Sequence, residues 1–305
     1  MKPFFSGFTW PFSFLESRSA SAGLFLSIFL IATAATAAGI TVYGYAYDSL
    51  TGANTAGGSS DTSASQDYAS CNTIGIEIRD CIMTYRPDNA EALLGSVDSP
   101  CRAITSSEEV IWKLDAAANN PQIKAVILDI DSTGGSGVAA EEIAASMKNL
   151  GKPSIAWVRE SADSAAYWIA SAADTIIASE GSDVGSIGVT MSYVDNAKQN
   201  AKDGLTYNQL TTGKYKDTGT HDRALTADER ALLQRGLDIA LQNFIKAVAR
   251  NRHLPVEKVT ELADGSTMMG AMALQNGLID QIGSKQEVWT KLGNLIQEEP
   301  DVCWD

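Results

Sequence analysis

The residues of this chain best placed to do chemistry lie between positions 164 and 217. Residues 164–188 read SAAYWIASAADTIIASEGSDVGSIG, and Lys216 follows in TTGKYKD (211–217). A serine hydroxyl becomes a nucleophile only when a base takes its proton. The chain has 2 histidines, His221 and His253. His221 lies in the polar stretch GTHDR, and His253, in RNRHLP, suits a helix C-terminal cap. Lysine is therefore the candidate base, with Lys216 first and Lys214 its rival. Ser164 follows a strand-like run and precedes the apolar AAYWIASAA, so it sits at a helix N-terminus. There the dipole and unpaired N–H groups favour developing negative charge. The plainer role for a serine at that position is an N-cap. A lysine base must be neutral, which means lowering a pKa near 10.4 by roughly 2 to 3 through burial. The expectation is a desolvated Lys216 beside Ser164. In GSIGV (185–189) the glycines let the backbone pass close to Ser164, and Ser186 reads from the residues alone as a turn serine.

Elements that would hold these residues are legible from periodicity. TIGIEI (73–78) reads as a strand and SEEVIWKLDAAANN (107–120) as an amphipathic helix with Val110, Leu114 and Ala117 on one face. KAVILDI (124–130) is a continuous apolar run of the kind buried in parallel sheets, ending in STGG. Helix AAEEIAASMKNL, strand PSIAWV, the Ser164 helix and strand TIIAS follow. Such alternation implies a parallel sheet covered on both faces. Thr226, with Glu229 three residues on, opens a long helix through a capping box.

With 305 residues and 45% hydrophobic content the chain can bury a substantial core. A formal net charge of -14 excludes a general phosphate-binding footprint, so no nucleic-acid partner is expected. No residue from Ser19 to Tyr47 is charged, which is long enough to span a bilayer. Lys2 and Arg18 precede this run, while Asp48 and Asp61 follow it. The positive-inside rule then gives a cytoplasmic segment 1–21, a transmembrane anchor 22–46, a Ser/Gly/Thr-rich linker 47–70 and an extracytoplasmic domain 71–305. This single-pass arrangement in the inner (cytoplasmic) membrane makes lipid a partner. The competing reading of the N-terminus is a cleaved signal peptide. Cys71, Cys81, Cys101 and Cys303 lack metal-like spacing, and no metal or cofactor is expected; an oxidising compartment would allow three disulfide pairings.

TGGSGVAAEEI, the Ser164 helix, GSIGV and TGKYKD occur in the order of the corresponding segments of the signal peptide peptidase A family of membrane-anchored serine proteases. The resemblance runs from about Ile74 to Gly293, and DGSTMMGAMALQNGLIDQIG is similar to the family's closing motif. It implies an α/β fold of the crotonase/Clp type, a mainly parallel sheet flanked by helices. It also implies homo-oligomeric assembly and the hydrolysis of hydrophobic peptides, such as spent signal peptides, through an acyl-enzyme. Carried over by position, Ser164 is the nucleophile and Lys216 the general base, Ser186 assists the lysine, and the backbone N–H groups of Gly135 and Ala165 are the oxyanion hole. Two departures stand out. Ala165 and Ala166 replace the glycines after the nucleophile, and the oxyanion turn reads DSTGG, placing Asp131 where an ionised carboxylate could repel an oxyanion.

Three other readings compete. AVILDIDST has the strand-borne Asp-x-Asp-x-Thr of magnesium-dependent phosphatases, with Asp129 as nucleophile and Asp131 as acid/base, although no later acidic pair follows. A membrane scaffold of the same fold that has lost activity is a second, and acyl-CoA chemistry on the crotonase fold a third.

Overall fold

The computed structural model describes residues 70–88, 90 and 101–304. The expected anchor, most of the linker and the cytoplasmic segment lie outside the described residues. Among those described, no helix is long and apolar enough to cross a membrane.

The chain forms strands β1 (Thr73–Met83) and β2 (Ile104–Ser106), then helix α1 (Ser107–Asn119), strand β3 (Ala125–Gly135) and helix α2 (Gly137–Asn149). Strand β4 (Ser154–Asp163), helix α3 (Ala165–Ser171) and the short strands β5 (Thr175–Ala178) and β6 (Asp183–Gly185) carry the chemistry-bearing segment. A short helix α4 (Ala197–Lys202) precedes the long α5 (Ala227–Arg252) and α6 (Val256–Leu262). Strand β7 (Thr267–Met269), helix α7 (Gly270–Gln275), β8 (Gln281–Ile282), α8 (Lys285–Ile296) and β9 (Val302–Trp304) close the chain.

The sheet runs β2, β1, β3, β4, β5, β8, with β9 beside β1 and β6 beside the far end of β4. Every pairing is parallel except β6 with β7. The apolar run in β3 has its reason here. Val126, Leu128 and Ile130 point into one core with α1, α2, α3 and α5, while Ala125 and Ile127 point into a second, roofed by Val288 and Leu292 of α8. A strand buried on both faces gains about 1.5 to 3 kcal/mol for each large aliphatic side chain it removes from water, so it has no polar alternation.

Val110, Leu114 and Ala117 are the buried face of α1, as their spacing predicts. The capping box of α5 forms through Thr226 and Glu229, and His253 is its left-handed C-cap (φ 55). One expectation needs extending. STGG does not end β3 as a turn; the strand continues through Gly135, which pairs with Ile82 of β1. The cysteines pair as Cys71–Cys303 and Cys81–Cys101, tying β1 to β9 and to the segment leading into β2.

Candidate active site

Ser164 is the single residue between the end of β4 and the start of α3, and it adopts φ 53, ψ -122. Positive φ is costly for a side chain bearing Cβ, of order 1 to 3 kcal/mol, and persists only where the surroundings impose it. They do so from three sides. The Ser164 N–H donates to the Gly185 carbonyl (2.8 Å), and its own carbonyl accepts from the Trp168 N–H (3.0 Å). Gly134 presses on the turn so closely that a Cβ there would lie 2.9 Å from both the Asp163 carbonyl and the Ser164 Cβ. The hydroxyl makes no capping hydrogen bond, so the plain N-cap role is not what this serine performs. Helix α3 is held in place because all seven of its residues are buried; the Tyr167 hydroxyl donates to the Leu278 carbonyl (2.9 Å).

Beside the serine runs the glycine pair. Gly134 has φ 111 and Gly135 φ 155, and a Cβ on Gly135 would sit 2.1 Å from the Ile82 carbonyl oxygen. No larger residue fits either position. The Gly134 N–H is taken by Ser132 Oγ (3.1 Å). Gly135 lines the same cleft as Ser164 and Ala165. Ala165 is the first residue of α3, where an N–H has no partner within the helix.

Asp131 is not part of this cleft. Strand pairing slips on both flanks, between Arg79 and Cys81 on β1 and between Ile130 and Ser132 on β3, and such irregularities re-aim side chains. Its carboxylate accepts from the Ser161 N–H (3.2 Å) and faces a separate hollow with Arg79, Arg159 and Asp183. The feared repulsion of an oxyanion has no source in this arrangement. Asp129 is held by two guanidinium groups, Arg79 at 2.9 Å and Arg159 at 3.2 Å. A carboxylate so paired is a structural counter-ion and a poor nucleophile, which weighs against phosphatase chemistry at Asp129 and Asp131.

The cleft in front of Ser164 measures about 850 Å³. Its lining brings Thr133, Gly135, Ala165 and Ser186 together with Ser164, includes the carboxylates of Glu141 and Asp264, and has an apolar wall in Val138, Trp168, Leu241 and Phe244. Trp168 and Phe244 stack with centroids 5.0 Å apart, which locks α3 against α5. Ser186, at φ 47, donates its hydroxyl to the Gly265 carbonyl (3.1 Å). The structure thus gathers Ser164, Ala165, Gly135 and Ser186 into one cleft.

Lys216 stands apart from that cleft. Within the single chain it is exposed and lines a different hollow, formed by the Tyr207–Asp217 segment; the expected desolvation beside Ser164 is not met there. Lys214 is disfavoured as a base because its ammonium, 2.5 Å from Asp228, is driven above its ordinary value by that hydrogen bond. The Lys216 segment is anchored through Arg223, which bridges Asp217 (3.8 Å) and the nearly buried Glu229 (2.6 Å). His221 is exposed and bonds the Val194 carbonyl.

Sequence reasoning passed over Asp163. Its side chain is buried next to the nucleophile, Oδ1 has no hydrogen-bond partner, and burial, reinforced by Asp183, pushes it up to about 6. The only signal was an acidic residue immediately before the candidate serine.

Comparison with known proteins agrees with this geometry. Residues 146–298, which include Ser164, Ser186 and Lys216 but not Gly135, match the sequence profile of peptidase family S49. A putative protease of Methanocaldococcus jannaschii is 34% identical over 184 residues, covering 60% of this chain and 59% of that protein. A putative protease of Synechocystis is 30% identical over 199 residues, 65% of this chain and 72% of the relative. Protease 4 of Haemophilus influenzae is 33% identical over 193 residues, 62% of this chain but only 31% of the longer protein. With the profile spanning the strained serine turn and half of the chain, the chain belongs to peptidase family S49, the signal peptide peptidase A family.

Proposed function

We propose that the chain is a serine endopeptidase whose nucleophile is Ser164 and whose general base is Lys216, working through an acyl-enzyme. The observation that carries this reading is the Ser164 hydroxyl, free of capping duty at a strained turn and facing a cleft shared with Gly135 and Ala165. Ser164 Oγ attacks the scissile carbonyl and its proton passes to the neutral lysine amine. The N–H groups of Gly135 and Ala165 donate to the oxyanion. Collapse expels the amine, which takes the proton back from the lysine, and water then repeats the sequence on the ester to release the acid. Ser186 assists from the same cleft.

The exposure of Lys216 in one chain supports a site shared between copies: the segment ending at Asp217 reaches a neighbour's Ser164 cleft, where the amine is desolvated. A homo-oligomer is therefore part of the proposal. The apolar wall of Val138, Trp168, Leu241 and Phe244 suits hydrophobic peptides such as signal-peptide remnants. The two disulfides and the uncharged run from Ser19 to Tyr47 support a catalytic domain held on the extracytoplasmic side of the inner membrane.

The test is complementation. Ser164→Ala and Lys216→Ala proteins should each lose at least about 10³-fold in kcat, by analogy with other activated serines. Ser164→Ala should also lose labelling by a fluorophosphonate. Mixed, the two should regain part of the activity, because some interfaces pair an intact serine with an intact lysine. Full activity in Lys216→Ala would remove the lysine from the mechanism. A mixture that stays inactive would place the dyad within one chain.

A further inference from the structure

Beyond Trp168 the cleft continues into a second hollow of about 330 Å³ between α2 and α5. Glu141, Trp168 and Asn243 line both spaces, so the two are contiguous. Its far wall carries Lys148 from the last turn of α2 and Lys246 and Arg250 from α5. None of these three makes an ion pair among the described residues, although acidic side chains outnumber basic ones by 37 to 23 in the whole chain. Glu141, at the boundary, is the one acidic lining residue, which leaves the hollow net positive. Cations without a carboxylate partner are common among the described residues, but these three converge on one concavity that opens from the Ser164 cleft, and there they form a site for a carboxylate from elsewhere.

We infer that this hollow is a subsite for a carboxylate of the peptide substrate, supplied by an acidic side chain or by the peptide's own C-terminus. The inference rests on the peptidase reading above. Trp168 lies one helical turn from Ser164, about 6 Å, and Asn243 to Arg250 spans two turns of α5, about 10 Å. An extended peptide rises about 3.3 Å per residue, so the carboxylate belongs about four or five residues from the scissile bond. Apolar side chains nearer that bond occupy the Trp168 and Phe244 wall.

The experiment separates binding from hydrolysis. Fluorescent apolar decapeptides carrying Glu or Gln at successive positions, each with a free or amidated C-terminus, are bound to full-length Ser164→Ala protein and followed by anisotropy. At one position, or for the free C-terminus, the charged form should bind about fivefold to tenfold more tightly at low salt, the size expected for two or three exposed charge pairs, and the preference should shrink at high salt. Replacing Lys246 and Arg250 together with Gln should bring the ratio to about one, whereas Lys246→Arg with Arg250→Lys should keep it. A ratio of one throughout, or a preference that survives the Gln pair, overturns the subsite. So does a ratio of one accompanied by binding of phosphatidylserine vesicles that the Gln pair abolishes, which assigns these cations to lipid. Hydrolysis by the unmutated chain without charge preference leaves the peptidase reading standing alone; charge-selective binding without hydrolysis leaves the subsite standing alone.

Discussion

Replacing Asp163 with Asn should stabilise the fold at neutral and alkaline pH and destabilise it by about 1 to 2 kcal/mol in acid, where only the cost of the unpartnered amide remains. Asp163 is 9% exposed, one oxygen has no partner, and Asp183 stands two ladder positions away along the neighbouring strand. Its pKa rises from an ordinary 3.8 to about 6, first through burial and then through Asp183. The folded state therefore binds this proton more tightly than the unfolded state does. Stability from the protonated form is complete below about pH 4 and is lost as pH climbs through about 6, because over that interval folded chains hold more protons than unfolded ones. At about 1.4 kcal/mol per tenfold in proton affinity, the loss approaches 3 kcal/mol by pH 8. Asn copies the neutral acid in shape but brings an amide N–H that needs a partner, which lowers the expected gain to about 1 to 2 kcal/mol. For a domain of this size that is a rise in Tm of about 4 °C. Urea unfolding followed by tryptophan fluorescence at pH 4 and pH 8 measures it. An Asp163→Asn protein destabilised equally at both values would show that the carboxylate is satisfied in the fold and that the burial argument is wrong.

The two disulfides should differ in worth. In the chain-entropy view, a bridge across 232 residues restrains the unfolded chain by about 5 kcal/mol and one across 20 residues by about 3, so replacing Cys71 and Cys303 with Ser should lower Tm more than replacing Cys81 and Cys101. The reverse order in thermal scans would mean that the short bridge acts through the native β1 edge. Arg223→Gln should cut peptide hydrolysis at least tenfold, measured where both proteins are folded, and should also lower Tm, because Glu229 is left buried without its guanidinium partner. Arg223 holds Glu229 well below the usual carboxylate range and ties down Asp217, next to Lys216. Arg223→Lys should restore only part of the activity, since an ammonium cannot bridge both carboxylates in the fork geometry of a guanidinium. Unchanged kinetics in Arg223→Gln would separate this network from catalysis.

What the sequence determined by itself was everything written in short-range patterns. Apolar runs without alternation at 124–130 and 153–158 mark strands covered on both faces, because only such strands can do without a polar side. Val110, Leu114 and Ala117 lie on the buried side of α1 because their spacing follows the helical period. Thr226 and Glu229 close a capping box within one turn, and Ser164 comes at the join of a strand and a helix. Tertiary structure decided what depends on contacts between distant segments. The strain at Ser164 comes from Gly134 and Gly185; the close passage of GSIGV was legible from its glycines, but the pressure of Gly134 on the serine turn was not. Asp131 turns away from the cleft because the pairing slips beside it, and the sum of two irregular ladders cannot be read from either strand alone. The cysteine partners follow from which strand ends meet across the sheet. Asp163 is perturbed because the fold buries it and β6 then packs Asp183 near it, and Lys216 stays outside the Ser164 cleft because one chain folds it onto a separate hollow. Periodicity and capping act over a few residues and survive in a linear string. Register, burial of a charge and the reach of an arm are set only when segments far apart in the chain are brought side by side.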